Sequence, residues 1–171
     1  MLSDNLKYPA ELRKGEVEGQ VVVSLKIDQT GHMTGEHDFL SGNLAFEEEI
    51  ERVLVILREK WDPSFMDGKS YDSDYMMSFD FKLSKENRFP PNPFISTSQK
   101  PEEKSPLDKV NEALEENPYM PSLYENRAEI LTMEGKELLA EMDLNQAKFL
   151  KDKMLTEIVI VGYLPMGPKA L

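Results

Sequence analysis

With 171 residues, 30% of them charged and 40% hydrophobic, the chain has the make-up of a globular protein of one or two domains with room for a core. A net charge of −12 sets it against nucleic-acid phosphates and anionic membranes, so neither is expected as a partner. Cysteine is absent, which excludes disulfides, thiolate catalysis and Cys-ligated zinc.

No run of about 18 apolar residues exists, and Met1-Leu2-Ser3-Asp4-Asn5 has neither a basic nor an apolar stretch. Neither a transmembrane helix nor a signal peptide is therefore read. Leu6 to Lys14 reads as a short helix or turn, with Pro9 near its first turn, where a missing N–H costs little. Gly19 opens a strand in which Val21, Val23, Leu25 and Ile27 face one way and Gln20, Ser24, Lys26 and Asp28 the other. Asp28-Gln29-Thr30-Gly31 is a tight-turn signal. A partner strand around Met33–Leu40 completes a hairpin.

Phe46, Ile50, Val53, Leu54 and Leu57 then recur at three- and four-residue spacing, the buried stripe of an amphipathic helix over about 44–58. Glu47, Glu48, Glu49, Glu51 and Arg52 supply its solvated face. Val53 to Leu57 is apolar all round, so that end of the helix is expected to be covered on two sides. Trp61 is read as a core aromatic plugging the helix against the sheet. Tyr75, Met77, Phe79, Phe81 and Leu83 alternate with mostly polar neighbours, the period of a strand with one buried face.

Residues 84–106 hold five prolines together with Ser96-Thr97-Ser98 and Glu102-Glu103-Lys104, and 85–105 reads as a linker. Its Phe89, Phe94 and Ile95 suggest partial docking. Beyond it the period turns helical. Three helices are expected near 106–117, 121–134 and 137–154, with Ala128, Ala140 and Ala147 allowing close approach and Tyr124, Leu131 and Leu144 filling the gaps. The spacing resembles about one and a half tetratricopeptide repeats. Arg127 replaces the usual Leu of that pattern, and Asp152 stands where its closing Pro belongs. Ser122, Glu125, Glu129 and Thr132 form a candidate contact surface on this segment. So few repeats leave an apolar face uncapped, expected to dock on the linker aromatics, the first domain or another copy.

Candidate chemistry is sparse. His32 and His37, five apart on a strand, point to opposite faces and cannot share a metal. The Glu47–Glu51 cluster is what an amphipathic helix needs as a wet face. Asp72-Ser73-Asp74 lacks the Gly and the distant Glu of a calcium loop. No nucleophile elbow, zinc-protease helix, phosphate loop or dinucleotide fingerprint is present. No catalytic residue, metal or cofactor is expected, and enzymatic activity is not expected.

Taken in order, Tyr8-Pro9, Gly19-Gln20-Val21-Val22-Val23, Ile27, Gly31, Ser41, Trp61-Asp62-Pro63, Gly68-Lys69 and the strand to Leu83 resemble the C-terminal domain of TonB-type energy transducers, over roughly residues 4–83. The resemblance implies an α+β fold: a helix–strand–strand–helix–strand domain with an antiparallel sheet covered on one face. It also implies that the last strand (Tyr75, Met76, Met77, Ser78, Phe79, Asp80, Phe81) is a sheet edge that takes up a partner's extended segment. The partner so implied is a protein, such as an outer-membrane TonB-dependent receptor. The place is the periplasm, in the soluble part of a protein anchored in the inner membrane. Anchor and spacer are not visible here, so an excised fragment, or a module working without an anchor, is expected.

The tail, residues 156–171, includes Glu157-Ile158-Val159-Ile160-Val161-Gly162-Tyr163. A β-branched run bounded by Gly is a strand signal, and its plainer reading is a core strand of the second domain. It also resembles the segment near the start of SusC-type outer-membrane receptors that such receptors offer to TonB. The tail is accordingly expected to pair with a sheet edge beside Tyr75–Leu83, in its own chain or a neighbouring one. The sequence thus divides into a TonB C-terminal-like domain (1–84), a linker (85–105), a helical segment (106–155) and a strand-forming tail (156–171). A different reading is the ectodomain of a membrane-bound sensor or antirepressor peptidase that uses this fold to receive signals.

Overall fold

The structure, a computed structural model, describes residues 5–62, 66, 68–69, 73–84 and 104–164. A short helix α1 (Ala10–Lys14) leads into a hairpin of β1 (Gly19–Ile27) and β2 (Met33–Gly42). The turn is built by Asp28, whose Oδ1 accepts from Thr30 N at 2.8 Å and His32 N at 3.0 Å, while Gly31 takes a φ of 83°. Gly42, φ 108°, ends β2 where a Cβ would run into the Gln20 carbonyl, so only glycine fits. Asn43 then caps a single 3₁₀ turn, its Oδ1 accepting from Ala45 N at 3.0 Å, and the chain continues into α2 (Glu47–Glu59).

β3 (Ser73–Leu83) lies antiparallel to β1, with Val21 opposite Phe79 and Leu25 opposite Tyr75. Beyond residue 104 come α3 (Pro106–Glu116), α4 (Pro121–Met133) and α5 (Glu137–Lys153). Ser105 caps α3 by accepting from Asp108 N, with Pro106 at the first helical position. The chain then enters β4 (Met154–Gly162), which runs parallel to β3 and completes a sheet in the order β2-β1-β3-β4. Parallel neighbours need a long crossover, and α3–α5 belong to it.

Each sheet face is covered. On one, Val21, Val23, Leu25, Ile27, Met77, Phe79, Phe81 and Ile160 pack with Phe46, Ile50, Val53, Leu54 and Leu57 of the α2 region. On the other, Val22 and Met76 pack against Met120 and Leu150 from the helical segment. The alternation in β3 therefore does not mark a wet second face: Met76 and Ser78 are as sheltered as their neighbours.

Several expectations change in detail. Helix α1 begins only at Ala10, four residues after Leu6, with Pro9 as its N-cap residue next to the first turn. Val55 is exposed, so the C-terminal end of α2 is covered on one side only. Trp61 is half-buried, because its Nε1 donates to the Gly31 carbonyl at 2.8 Å and holds the ring at the hairpin's end. Leu144 is exposed and fills no gap between helices, whereas Ala128, Ala140, Ala147 and Leu131 are buried as expected. The linker aromatics, Pro63 and Asp72 lie outside the described residues.

Candidate protein-binding edge

β3 is held along its whole length. Ser78, fully buried, accepts from Gln20 Nε2 at 3.0 Å and directs its hydroxyl to Met120 Sδ at 3.7 Å. A hydroxyl thus satisfied can sit between apolar layers. At the C-terminal end, Leu83 N donates to Glu18 Oε1 at 2.7 Å. There Phe81 stacks on Phe46 at 4.0 Å, and the Tyr8 ring meets both edge-on at 5.6 and 5.8 Å, a favourable aromatic arrangement. Burial, and then the nearby Glu18 carboxylate, raise the Tyr8 phenol above its ordinary pKa, and its hydroxyl donates to the Val17 carbonyl. At the other end, Lys69 and Lys153 approach the Tyr75 ring at 5.4 and 5.3 Å. Lys153 also donates to Ser73 Oγ and Lys69 to the Asp152 carbonyl.

The strand expected to be an open edge is not open in this chain. From Met76 to Leu83 it pairs with Met154 to Gly162, with Phe79 opposite Ile158 and Phe81 opposite Ile160, and Ser84 N donates to the Gly162 carbonyl at 2.8 Å. The tail segment has therefore come to Tyr75–Leu83 in its own chain, starting two residues before Thr156. Its direction, parallel, was not legible beforehand. Ile158 and Ile160 turn into the α2-side core, and Gly162 lies on the Tyr8 ring, where a Cβ would stand 2.6 Å from Tyr8 Cδ2 and 3.0 Å from Leu83 Cδ2. Glu157, Val159, Val161 and Tyr163 are exposed, although a run this apolar was expected to be sheltered. β4 is thereby the outermost strand on its side, as β2 is on the other.

Of the four residues singled out on the helical segment, Ser122, Glu125, Glu129 and Thr132 all lie on α4, and the last three line a shallow groove with Asn126, Met133 and Leu144. Glu125 pairs with Lys151 of α5. Asn111, Arg127 and Asp143 were missed as a set: Arg127 binds both carboxylate oxygens of Asp143 at 2.7 Å and Asn111 Oδ1 at 3.1 Å, joining three helices. Arg127 at an apolar position was the signal that a buried acid waited on a neighbouring helix.

Neither histidine gathers ligands. His32 Nδ1 lies 2.9 Å from Thr30 Oγ1 at the hairpin turn, and His37 Nε2 lies 3.0 Å from Glu51 Oε1. Among the described residues, no group of three His, Asp or Glu could hold a metal ion, and no helix is long and apolar enough to cross a membrane.

Neither the curated proteins nor the solved structures contain a match to the chain. The family model of the Gram-negative bacterial TonB protein C-terminal, however, matches residues 4–83. That span covers a little under half the chain and ends at the last residue of β3; the helices and β4 lie beyond it. The stretch from α1 to β3 is thus similar to the Gram-negative bacterial TonB protein C-terminal.

Proposed function

We propose that this protein is a non-catalytic, periplasmic interaction module in which β3 takes up an extended partner segment by strand addition, and that β4 occupies this edge as an internal stand-in. The observation that carries the reading is the pairing of Glu157–Gly162 with Ser78–Leu83 at the end of a TonB C-terminal-type sheet. Strand addition draws its affinity from main-chain hydrogen bonds and its selectivity from alternate side chains entering pockets. Ile158, Ile160 and the side-chain-free Gly162 fit that scheme, two apolar anchors and one position with no room for a Cβ. The partner class is an extended segment of an outer-membrane TonB-dependent receptor or a similar protein. The α4 surface Ser122, Glu125, Glu129 and Thr132 is a second contact for the same partner. Because β4 is tethered, its effective concentration at β3 is of the order of millimolar, and a segment arriving in trans has to displace it.

One observation favours a second reading. Val159, Val161 and Tyr163 are exposed on an outermost strand, which is a template for pairing, so a partner strand could add outside β4 without displacing it. A labelled peptide of residues 154–164 separates the two. Gly162→Val pushes β4 off the Tyr8 ring; if β3 is the receiving strand, this variant binds the peptide more tightly than the parent. Weaker binding by the variant points to the outer edge of β4. Unchanged affinity, with β4 amides shown by hydrogen exchange to be released, overturns the reading of β3 as the site.

A further inference from the structure

Helix α5 turns Ala140, Asp143, Ala147 and Leu150 inward. On another side it carries Leu138, Met142, Asn145 and Phe149, separated by four, three and four residues. That is the spacing of a coiled-coil seam with one polar position in it. Leu138 is 72% exposed, Met142 61% and Phe149 56%, and Leu139 beside them 48%. Exposed apolar residues scattered singly are ordinary, whereas a continuous row marks a contact.

The charges along α5 say what covers it. The whole chain is strongly acidic, yet this helix is polarised: its first half carries Glu137, Glu141 and Asp143 with no base, its second half Lys148, Lys151 and Lys153 against Asp152 alone. Lys151 and Lys153 are engaged within the chain by Glu125 and Ser73. Glu141 and Lys148 form no ion pair among the described residues and flank the seam on the same side, seven residues apart. We propose that the seam is covered by the same seam of a second copy, with the two α5 helices antiparallel about a twofold axis. In the register that sets Leu138 against Phe149 of the second copy, Met142 meets Asn145, and Glu141 comes beside Lys148. The symmetry repeats each pair. A parallel arrangement places Glu141 beside Gln146 and forfeits both ion pairs. A self-complementary patch of this kind gives a closed dimer, and its Glu–Lys pairs offset part of the repulsion between two chains of net charge −12. The inference does not depend on strand addition at β3, because the seam lies on the face of α5 turned away from Leu150, the residue that packs on the sheet.

Sedimentation equilibrium of the full chain over a wide concentration range tests it. The expected result is a monomer–dimer equilibrium that Met142→Glu abolishes, with the circular-dichroism melt of the monomer unchanged because the residue is exposed. Glu141→Lys and Lys148→Glu should each weaken the dimer by about three- to tenfold, and the two together should restore it. Three results overturn the proposal: a monomer at every concentration, a dimer indifferent to Met142→Glu, or a double charge reversal no better than either single one. The second result transfers the contact to another surface such as the β4 edge, and the third removes the antiparallel register.

Discussion

Arg127 shows how one residue ties local spacing to packing. Leucine would suit the repeat-like pattern of α4, but Asp143 is buried on α5, and a buried carboxylate is costly unless paired and hydrogen-bonded. The bidentate contact supplies that pairing, and hydrogen bonding to Asp143 is also the main reason the guanidinium is held above its ordinary pKa. Arg127→Leu strands the acid. We expect a loss of about 2–3 kcal/mol in urea unfolding, below the full cost of breaking a buried pair because Arg127 keeps part of its solvent contact. Adding Asp143→Leu should recover most of that loss; no recovery would mean the pair itself does not set the cost. Phe79 has no polar partner to consider and is fully buried between the Val21 and Ile158 strands. Its truncation to Ala should cost about 3–5 kcal/mol, and an effect below about 1 kcal/mol would contradict its place in the core. His37 adds a pH term. Burial lowers its pKa, but hydrogen bonds to Glu51 and the Gly35 carbonyl outweigh this and leave it raised. A raised folded-state value means protonation favours the fold. Its stabilisation is therefore complete below the ordinary value of about 6.5 and is lost as pH rises through the higher folded value. Melting temperatures of the parent should fall over that window more steeply than those of His37→Gln.

At the scale of elements, the strands and helices were largely legible and their second layer was not. Alternation at Val21, Val23, Leu25 and Ile27, and again from Tyr75 to Leu83, locates β1 and β3 because a half-buried strand must alternate. The three- and four-residue spacing locates α2 for the matching reason. What alternation hides is a polar residue buried with partners: Ser78 reads as wet, yet Gln20 and Met120 satisfy it beneath the helices. The β-branched run after Thr156 announces a strand, but strand preference carries no direction, and only the crossover through α3–α5 makes β4 parallel. The tight fit at Gly162 was equally silent, since it depends on the Tyr8 ring arriving from the far end of the sequence. This fit yields a prediction for the element. Gly162→Val should raise the exchange rates of amides in Ile158–Gly162 and in the β3 residues bonded to them, while β1–β2 amides stay protected. Uniform acceleration across β1, β2 and β3 would show that β4 is part of the core and not a separable occupant of the edge.

The whole molecule closes its sheet with a strand from beyond its helices. β1, β2 and β3 lie within the first half of the sequence, β4 beyond α5, and the second face of the sheet is the Val22–Met76–Met120–Leu150 layer. Polar contacts span the same boundary: Ser41 Oγ to Asn117 Oδ1 at 3.5 Å, Lys153 to Ser73, Lys69 to the Asp152 carbonyl. Neither part buries its apolar surface alone. Without the helices Val22 and Met76 face water; without the sheet Met120, Leu150 and Ile160 do. Parts that share a core in this way unfold together, whereas domains joined only by a linker melt separately. The chain offers two natural probes. Trp61, the single tryptophan, hydrogen-bonds the Gly31 carbonyl of the β1–β2 hairpin and reports on that side. The helical circular-dichroism signal is dominated by α3, α4 and α5. In urea the tryptophan fluorescence and the helical signal should give the same midpoint and slope, and Leu150→Ala, placed in the shared layer, should lower both midpoints equally, by a loss of about 2–4 kcal/mol. A helical signal that persists after the tryptophan transition is complete would separate the two parts, and β4 would then be docked on the sheet without coupling the helices to it.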